Sequence, residues 1–173
     1  MNYINTLERV PFLYHFTDRR NLPQIKAAGG LLPLAELRRR GIEIPAPGGN
    51  DWSREADAPK RMSDYVHLCF RDSHPMEYRA REAGRIGDTI FLKIHPSVMH
   101  FDGVRFTDDV ANKSGVQSVP ITEAEALMDF EVLYGRTDWR NLEVNARLQQ
   151  ASKYEVLVPQ MIPLDLIRNL PNG

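Results

Sequence analysis

The chain has 173 residues and a mass of 19.8 kDa, with 42% hydrophobic and 26% charged residues, the balance of one globular domain with room for a core. Its formal net charge of −1 excludes a global basic field for nucleic acid, and its single cysteine, Cys69, excludes a disulfide framework. No apolar run approaches the ~20 residues of a membrane helix and residues 1–11 hold no apolar signal core, so the expectation is a single domain over residues 1–173, cytoplasmic, monomeric and without a membrane partner.

Residues 10–16 predict a first strand. Thr17-Asp18 offers a cap for a helix over residues 21–28, which Gly29-Gly30 ends. His15 on the strand and Asn21 in the following turn are held close together; they either face a site or satisfy nearby backbone groups. Residues 34–40 predict a short helix ending at Gly41, and its Arg38-Arg39-Arg40 run reads most simply as a solvated face. Residues 42–63 form a long connection rich in proline and glycine, of the kind that is functional or poorly ordered. It carries Trp52, Arg54, Lys60 and Arg61, an aromatic among cations that suits a base or a phosphate, or simply pins the loop.

Residues 64–70 predict a second strand, 71–75 a turn, 76–83 a helix and 89–94 a third strand whose Phe91 and Lys93 face opposite Ile90 and Leu92. Asp102-Gly103 predicts a hairpin within residues 101–109, and residues 110–121 read as loop. A short helical piece follows over 123–128. Residues 131–134 either continue it or form strand, and a helix runs over 141–150. Residues 154–158 predict a strand stopped by Pro159, and 163–167 a helical turn leading into a terminal strand. The sum is α+β.

Several chemistries drop out. Gly29-Gly30 and Gly48-Gly49 lack the lysine and spacing of a phosphate loop, and no Gly-x-Gly-x-x-Gly marks a dinucleotide fold. The five histidines are scattered with no zinc spacing, so no metal is expected. Cys69 on a core strand reads as an inert buried thiol, and Ser73 beside His74 is too local for a nucleophile and its base. What remains is Glu155, a carboxylate at the entry of an otherwise apolar strand, costly to bury without a partner. It is either a catalytic group at the lip of the core or a solvent-facing residue on an edge strand.

The order of short motifs resembles the DarT family, toxin ADP-ribosyltransferases that modify DNA bases using NAD+. Leu13-Tyr14-His15-Phe16-Thr17-Asp18 with Asn21-Leu22-Pro23-Gln24-Ile25 and Gly29-Gly30-Leu31-Leu32 resembles its opening. Residues 64–70 with Ser73-His74-Pro75-Met76 resemble its second core strand, Phe106 to Asn112 its central Thr-Asp loop, and Asp138-Trp139 with residues 147–159 the segment of its catalytic glutamate. The resemblance implies an ADP-ribosyltransferase-like split β-sheet core with short flanking helices, holding NAD+ between two small sheets without a metal. Glu155 then matches the catalytic glutamate, and His15, Thr17 and Asn21 lie with the NAD+-binding strand and turn. Arg54, or failing it Arg61, supplies the arginine that contacts NAD+ and assists catalysis; Cys69 departs from the aromatic common at its position.

A carboxylate by the ribose stabilises the oxocarbenium-like state of NAD+ cleavage and deprotonates an incoming base nitrogen. His15 would hold a ribose hydroxyl, an arginine the diphosphate, and Tyr78 would stack on nicotinamide. The acceptor would be a base in single-stranded DNA, thymine or guanine; the alternatives are a related transferase acting on RNA, a protein side chain or the terminal phosphate of tRNA, or a non-catalytic NAD- or nucleic-acid-binding module. Residues 135–153 are the expected acceptor segment, with Trp139, Arg140, Arg147 and Lys153, joined by Arg136, as its stacking and cationic groups. The alternative is an indole capping the core beside a solvated helix face. A macrodomain-type antitoxin is the partner that the resemblance implies.

Overall fold

Strand β1 (Leu13–Asp18) pairs antiparallel over its whole length with β4 (Thr89–Ile94), from Leu13 opposite Ile94 to Asp18 opposite Thr89. In this computed structural model, which describes residues 7–46, 62–135, 138 and 140–171, β4 alternates as the sequence predicts. Ile90, Leu92 and Ile94 are buried while Phe91 and Lys93 face outward. β1 begins at Leu13 rather than at residue 10, because Leu7–Arg9 closes a 3-10 turn and Pro11 has no N–H for a ladder.

A second sheet has the order β3 (Val66–Leu68), β7 (Glu155–Val158), β5 (Arg105–Thr107), β6 (Val119–Pro120), all antiparallel neighbours. β7 is therefore a central strand, and all four of its residues are buried because both faces of the sheet are covered. This corrects the edge-strand alternative for Glu155. Around the sheet, Phe70 meets Phe130 and Tyr154 edge-on, with ring centroids 5.5 and 6.3 Å apart.

Among the described residues the two sheets are joined by one bridge, in which Tyr14 and Cys69 exchange both backbone hydrogen bonds at 2.8 Å. Beyond it β1 and β3 part, and the split is the gap between them. A third pairing, β2 (Gly30–Leu31) with β8 (Ile162–Pro163), closes one side of the gap. Gly30 is required there, since a Cβ on it would lie 2.1 Å from the Ile162 carbonyl oxygen.

Short helices flank the sheets: α1 (Leu22–Ala28), α2 (Leu34–Arg39), α3 (Pro75–Glu82), α4 (Ile121–Leu127), α5 (Phe130–Tyr134) and α6 (Leu142–Ala151). α1 ends on Gly29 at φ 84°, and Asp129 and Asn141 cap α5 and α6 through their side chains. Residues 131–134 are thus helix. The expected hairpin at 101–109 does not form. Asp102-Gly103 turns the chain, but a 3-10 turn (Pro96–His100) precedes it, so β5 finds its partners in β6 and β7. No helix among the described residues is long and apolar enough to cross a membrane.

Candidate active site

The split opens into a cleft of about 260 Å³. Each strand brings a polar group to it by simple alternation. Tyr14 turns its backbone bonds toward β3, so Phe16, of the same parity, points its N–H and C=O into the gap. The His67 carbonyl points across from β3 by the same rule. A continued ladder would pair that carbonyl with the Phe16 N–H; instead the His15 ring takes it, at 2.9 Å from Nδ1. A carbonyl only accepts, so Nδ1 carries the proton. Burial pushes the His15 pKa down, ahead of the opposing His67 hydrogen bond, so the ring is neutral and Nε2 is a bare acceptor.

Glu155 opens β7 opposite Thr107 of β5 and is 5% exposed. Its Oε1 is 2.9 Å from His67 Nδ1, and its Oε2 accepts the Ala111 N–H at 2.5 Å. Thr107 sets up the second contact, because its hydroxyl donates to the Asp109 carbonyl and turns the chain back toward Glu155. Burial raises the Glu155 pKa, but the His67 hydrogen bond, the electrostatic influence of the His67 and His74 rings, and the Ala111 N–H outweigh it. The net shift is downward and the carboxylate is ionised at neutral pH.

Asn21 is fully engaged. Its amide donates to the Thr17 hydroxyl at 3.0 Å and to the Ala46 carbonyl at 2.8 Å, and its oxygen accepts the Ala46 N–H at 2.8 Å. It fixes the rim at Ala46 and leaves the Thr17 O–H to donate. Asp18, at 0% exposure, caps the turn after β1 and accepts from Arg20 and from the Gly87 N–H. The Arg20 hydrogen bond foremost holds its carboxyl well below the usual carboxylate range.

His74 caps α3, its Nδ1 accepting the Met76 N–H at 3.2 Å. Burial lowers its pKa, so the ring is neutral and Nε2 carries the proton. The Lys153 backbone is near enough to influence that titration, yet no hydrogen bond of normal geometry satisfies Nε2. Burial, with the Glu155 charge second, raises the Cys69 thiol pKa strongly, so it is an inert core group. Among the described residues no group of three or more His, Cys, Asp or Glu is placed to hold a metal.

His15, Thr17 and Asn21 thus line one cleft with Glu155, which is distant from them in sequence. Tyr78 does not: Glu77 and Ala80 occupy the buried face of α3, and Tyr78 is 56% exposed beside Arg81. Among the described residues, the phenyl and phenol rings in the cleft are those of Phe16 and Tyr65. Arg147 is committed to a bidentate pair with Asp129, at 2.7 and 2.9 Å, which pins α6 to the cap of α5. Arg140 is exposed just before α6 and Lys153 is half-buried just before β7. Arg54, Arg61, Trp52, Lys60, Arg136 and Trp139 lie outside the described residues. His67 and His74 are the site residues that sequence reasoning passed over. The signal for His67 was the one used for Glu155, a titratable group inside an apolar strand.

A family model described as "ssDNA thymidine ADP-ribosyltransferase, DarT" matches residues 14–170. The chain belongs to the DarT family. Its fold is similar to that of Thermus sp. 2.9 DarT, solved in complex with ADP-ribosylated ssDNA, at 23% identity and a TM-score of 0.66 over 92% of this chain and 79% of that one. The same DarT in complex with NAD+ matches at 24% identity and a TM-score of 0.61, covering 92% and 80% of the two chains. Thermosipho africanus DarTG in complex with ADP-ribose matches at 21% identity and a TM-score of 0.64, covering 91% of this chain and 42% of that one. Comparison with curated proteins returns no match. The α+β split core expected from the sequence is the architecture these DarT folds share with the chain.

Proposed function

We propose that this chain cleaves NAD+ at the nicotinamide glycosidic bond and transfers ADP-ribose to thymidine in single-stranded DNA, with Glu155 as the reacting carboxylate. The observation that carries this reading is an ionised, buried Glu155 held from two sides in a DarT-family cleft. As the glycosidic bond breaks, its electron pair leaves with nicotinamide and positive charge grows on the ribose. A fixed carboxylate in a site shielded from water stabilises that charge. His15 Nε2 accepts a ribose hydroxyl. The outward N–H and C=O of Phe16 match the acceptor and donor of the nicotinamide carboxamide.

Thymidine has a single base N–H, at N3. Loss of that proton to Glu155 frees the nitrogen to bond the anomeric carbon. Pairing hides N3 in a duplex, which selects single strands. We assign the activity to a monomer in the cytoplasm acting as a toxin, with a macrodomain-type antitoxin as its partner; relief of growth arrest on co-expression tests that pairing. The enzymatic test is incubation with NAD+ and oligonucleotides, read by mass. An ADP-ribose adduct on single strands that contain thymidine supports the reading. No adduct, or an adduct on a strand lacking thymidine, contradicts it.

A further inference from the structure

His67 has no role in the scheme above, yet it touches most of its parts. Its Nε2 is 2.8 Å from the Met62 carbonyl and its Nδ1 is 2.9 Å from Glu155 Oε1, while its own carbonyl accepts from His15. It sits in β3 opposite Leu157, diagonal to Glu155 on the neighbouring strand. We propose that His67 is a positioning residue: an imidazolium that orients the Glu155 carboxylate by one ring N–H, anchors to the Met62 carbonyl by the other, and aligns His15 through its backbone. This inference rests on the reading of Glu155 as the reacting carboxylate.

The proton count follows from the partners. The Met62 oxygen is a carbonyl and only accepts, so Nε2 carries a proton. The bond to Glu155 then holds one further proton, on Nδ1 or on the carboxyl. Ordinary basicity puts it on the ring, since imidazole holds a proton more tightly than a carboxylate does. The Glu155 pKa is also shifted down against the pull of burial.

The titratable groups facing this pair are His15 from β1, His74 from the cap of α3 and Cys69 at the end of β3. Among the described residues these three are neutral at neutral pH, and His67 is the group that hydrogen-bonds Glu155. Donors on different oxygens, His67 on Oε1 and Ala111 on Oε2, fix the carboxylate plane. The remaining lone pairs are left for the cleft. A carboxylate held this way needs no reorganisation as charge develops.

Two measurements test the proposal. The first is steady-state NAD+-dependent modification of a thymidine oligonucleotide by H67L and H67N, with folding checked by thermal melting. Asparagine places an N–H near the Nδ1 position and leucine does not. H67L is expected to lose about 10- to 100-fold in kcat, with KM for NAD+ changed less than about threefold, and H67N to recover most of it. A folded H67L with wild-type kcat overturns the positioning role while leaving the activity of the wild type in place. An inactive wild type would instead overturn the reading of Glu155, and the positioning role with it.

The second measurement is nitrogen NMR of the ring in the wild type and in E155Q near neutral pH, which needs no turnover. Two protonated nitrogens in the wild type and one in E155Q are expected. A singly protonated ring in the wild type overturns the imidazolium. Should H67L not fold, this ring measurement decides alone.

Discussion

The His15 imidazole stands 2.9 Å from the His67 carbonyl, where the Phe16 N–H would sit if β1 and β3 continued as a ladder. One side chain thus completes the last rung before the split and turns its free nitrogen to the cleft. His15→Ala removes the acceptor for a ribose hydroxyl. KM for NAD+ should rise about 3- to 10-fold, the loss of one neutral hydrogen bond. Steady-state NAD+ hydrolysis reads this, and an unchanged KM means that His15 does not hold NAD+.

The pH profile should follow from the same ring. Burial lowers the His15 pKa, so the neutral form persists below the ordinary imidazole value of about 6.5. Protonation would turn the Nε2 acceptor into a donor. The acid limb of kcat/KM for NAD+ should therefore lie below that value. An acid limb at or above it would contradict the assigned ring state. A lowered histidine pKa also gives stability that is present above about 6.5 and declines as the pH falls toward the folded value.

Asp18 governs stability rather than chemistry. Its carboxylate caps the turn after β1 and holds the Arg20 side chain and the Gly87 N–H. Asp18→Asn should cost about 1–3 kcal/mol at neutral pH by loss of hydrogen bonds to a buried charge. The folded pKa is depressed, so the wild-type advantage is full above the usual carboxylate value and shrinks as pH falls through and below it. Denaturant melts at neutral and acid pH test this. A constant difference between the two would rule out the ionic origin.

Arg147 was expected to meet DNA, and the structure gives it to Asp129. Arg147→Ala and Asp129→Ala should each lower stability by about 1 kcal/mol, and the double variant should cost less than the sum. Strict additivity in the thermal melts of the three variants would show that the pair is not coupled.

Acceptor contacts are better sought at Trp139 and Arg140, just before α6. The Trp139→Ala, Arg140→Ala double variant should lose oligonucleotide modification about tenfold or more while retaining NAD+ hydrolysis. Full modification would move acceptor recognition elsewhere.

Much of this site is legible in the sequence, and the misses have separate physical causes. β4 reads directly from the alternation of Ile90, Leu92 and Ile94, and Glu155 stands out because a carboxylate inside an apolar strand needs a partner. The partner, His67, is 88 residues away and meets Glu155 only because β3 pairs antiparallel with β7. Strand pairing is a tertiary choice that a local pattern does not encode. Tyr78 fails for a local reason: with Glu77 and Ala80 facing inward, helical phase turns it out. The Asp102-Gly103 turn is real, yet a turn signal does not reveal that no strand precedes it.

The central claim is that the Glu155 carboxylate drives transfer, and Glu155→Gln tests it with minimal change of shape. The measurement is the rate of ADP-ribose addition to a thymidine-containing single strand, by mass, for the wild type and the variant at matched thermal stability. A fall of about 10²- to 10³-fold or more is expected, the scale seen when one electrostatic stabiliser is removed. Wild-type turnover by a folded Glu155→Gln variant would contradict it.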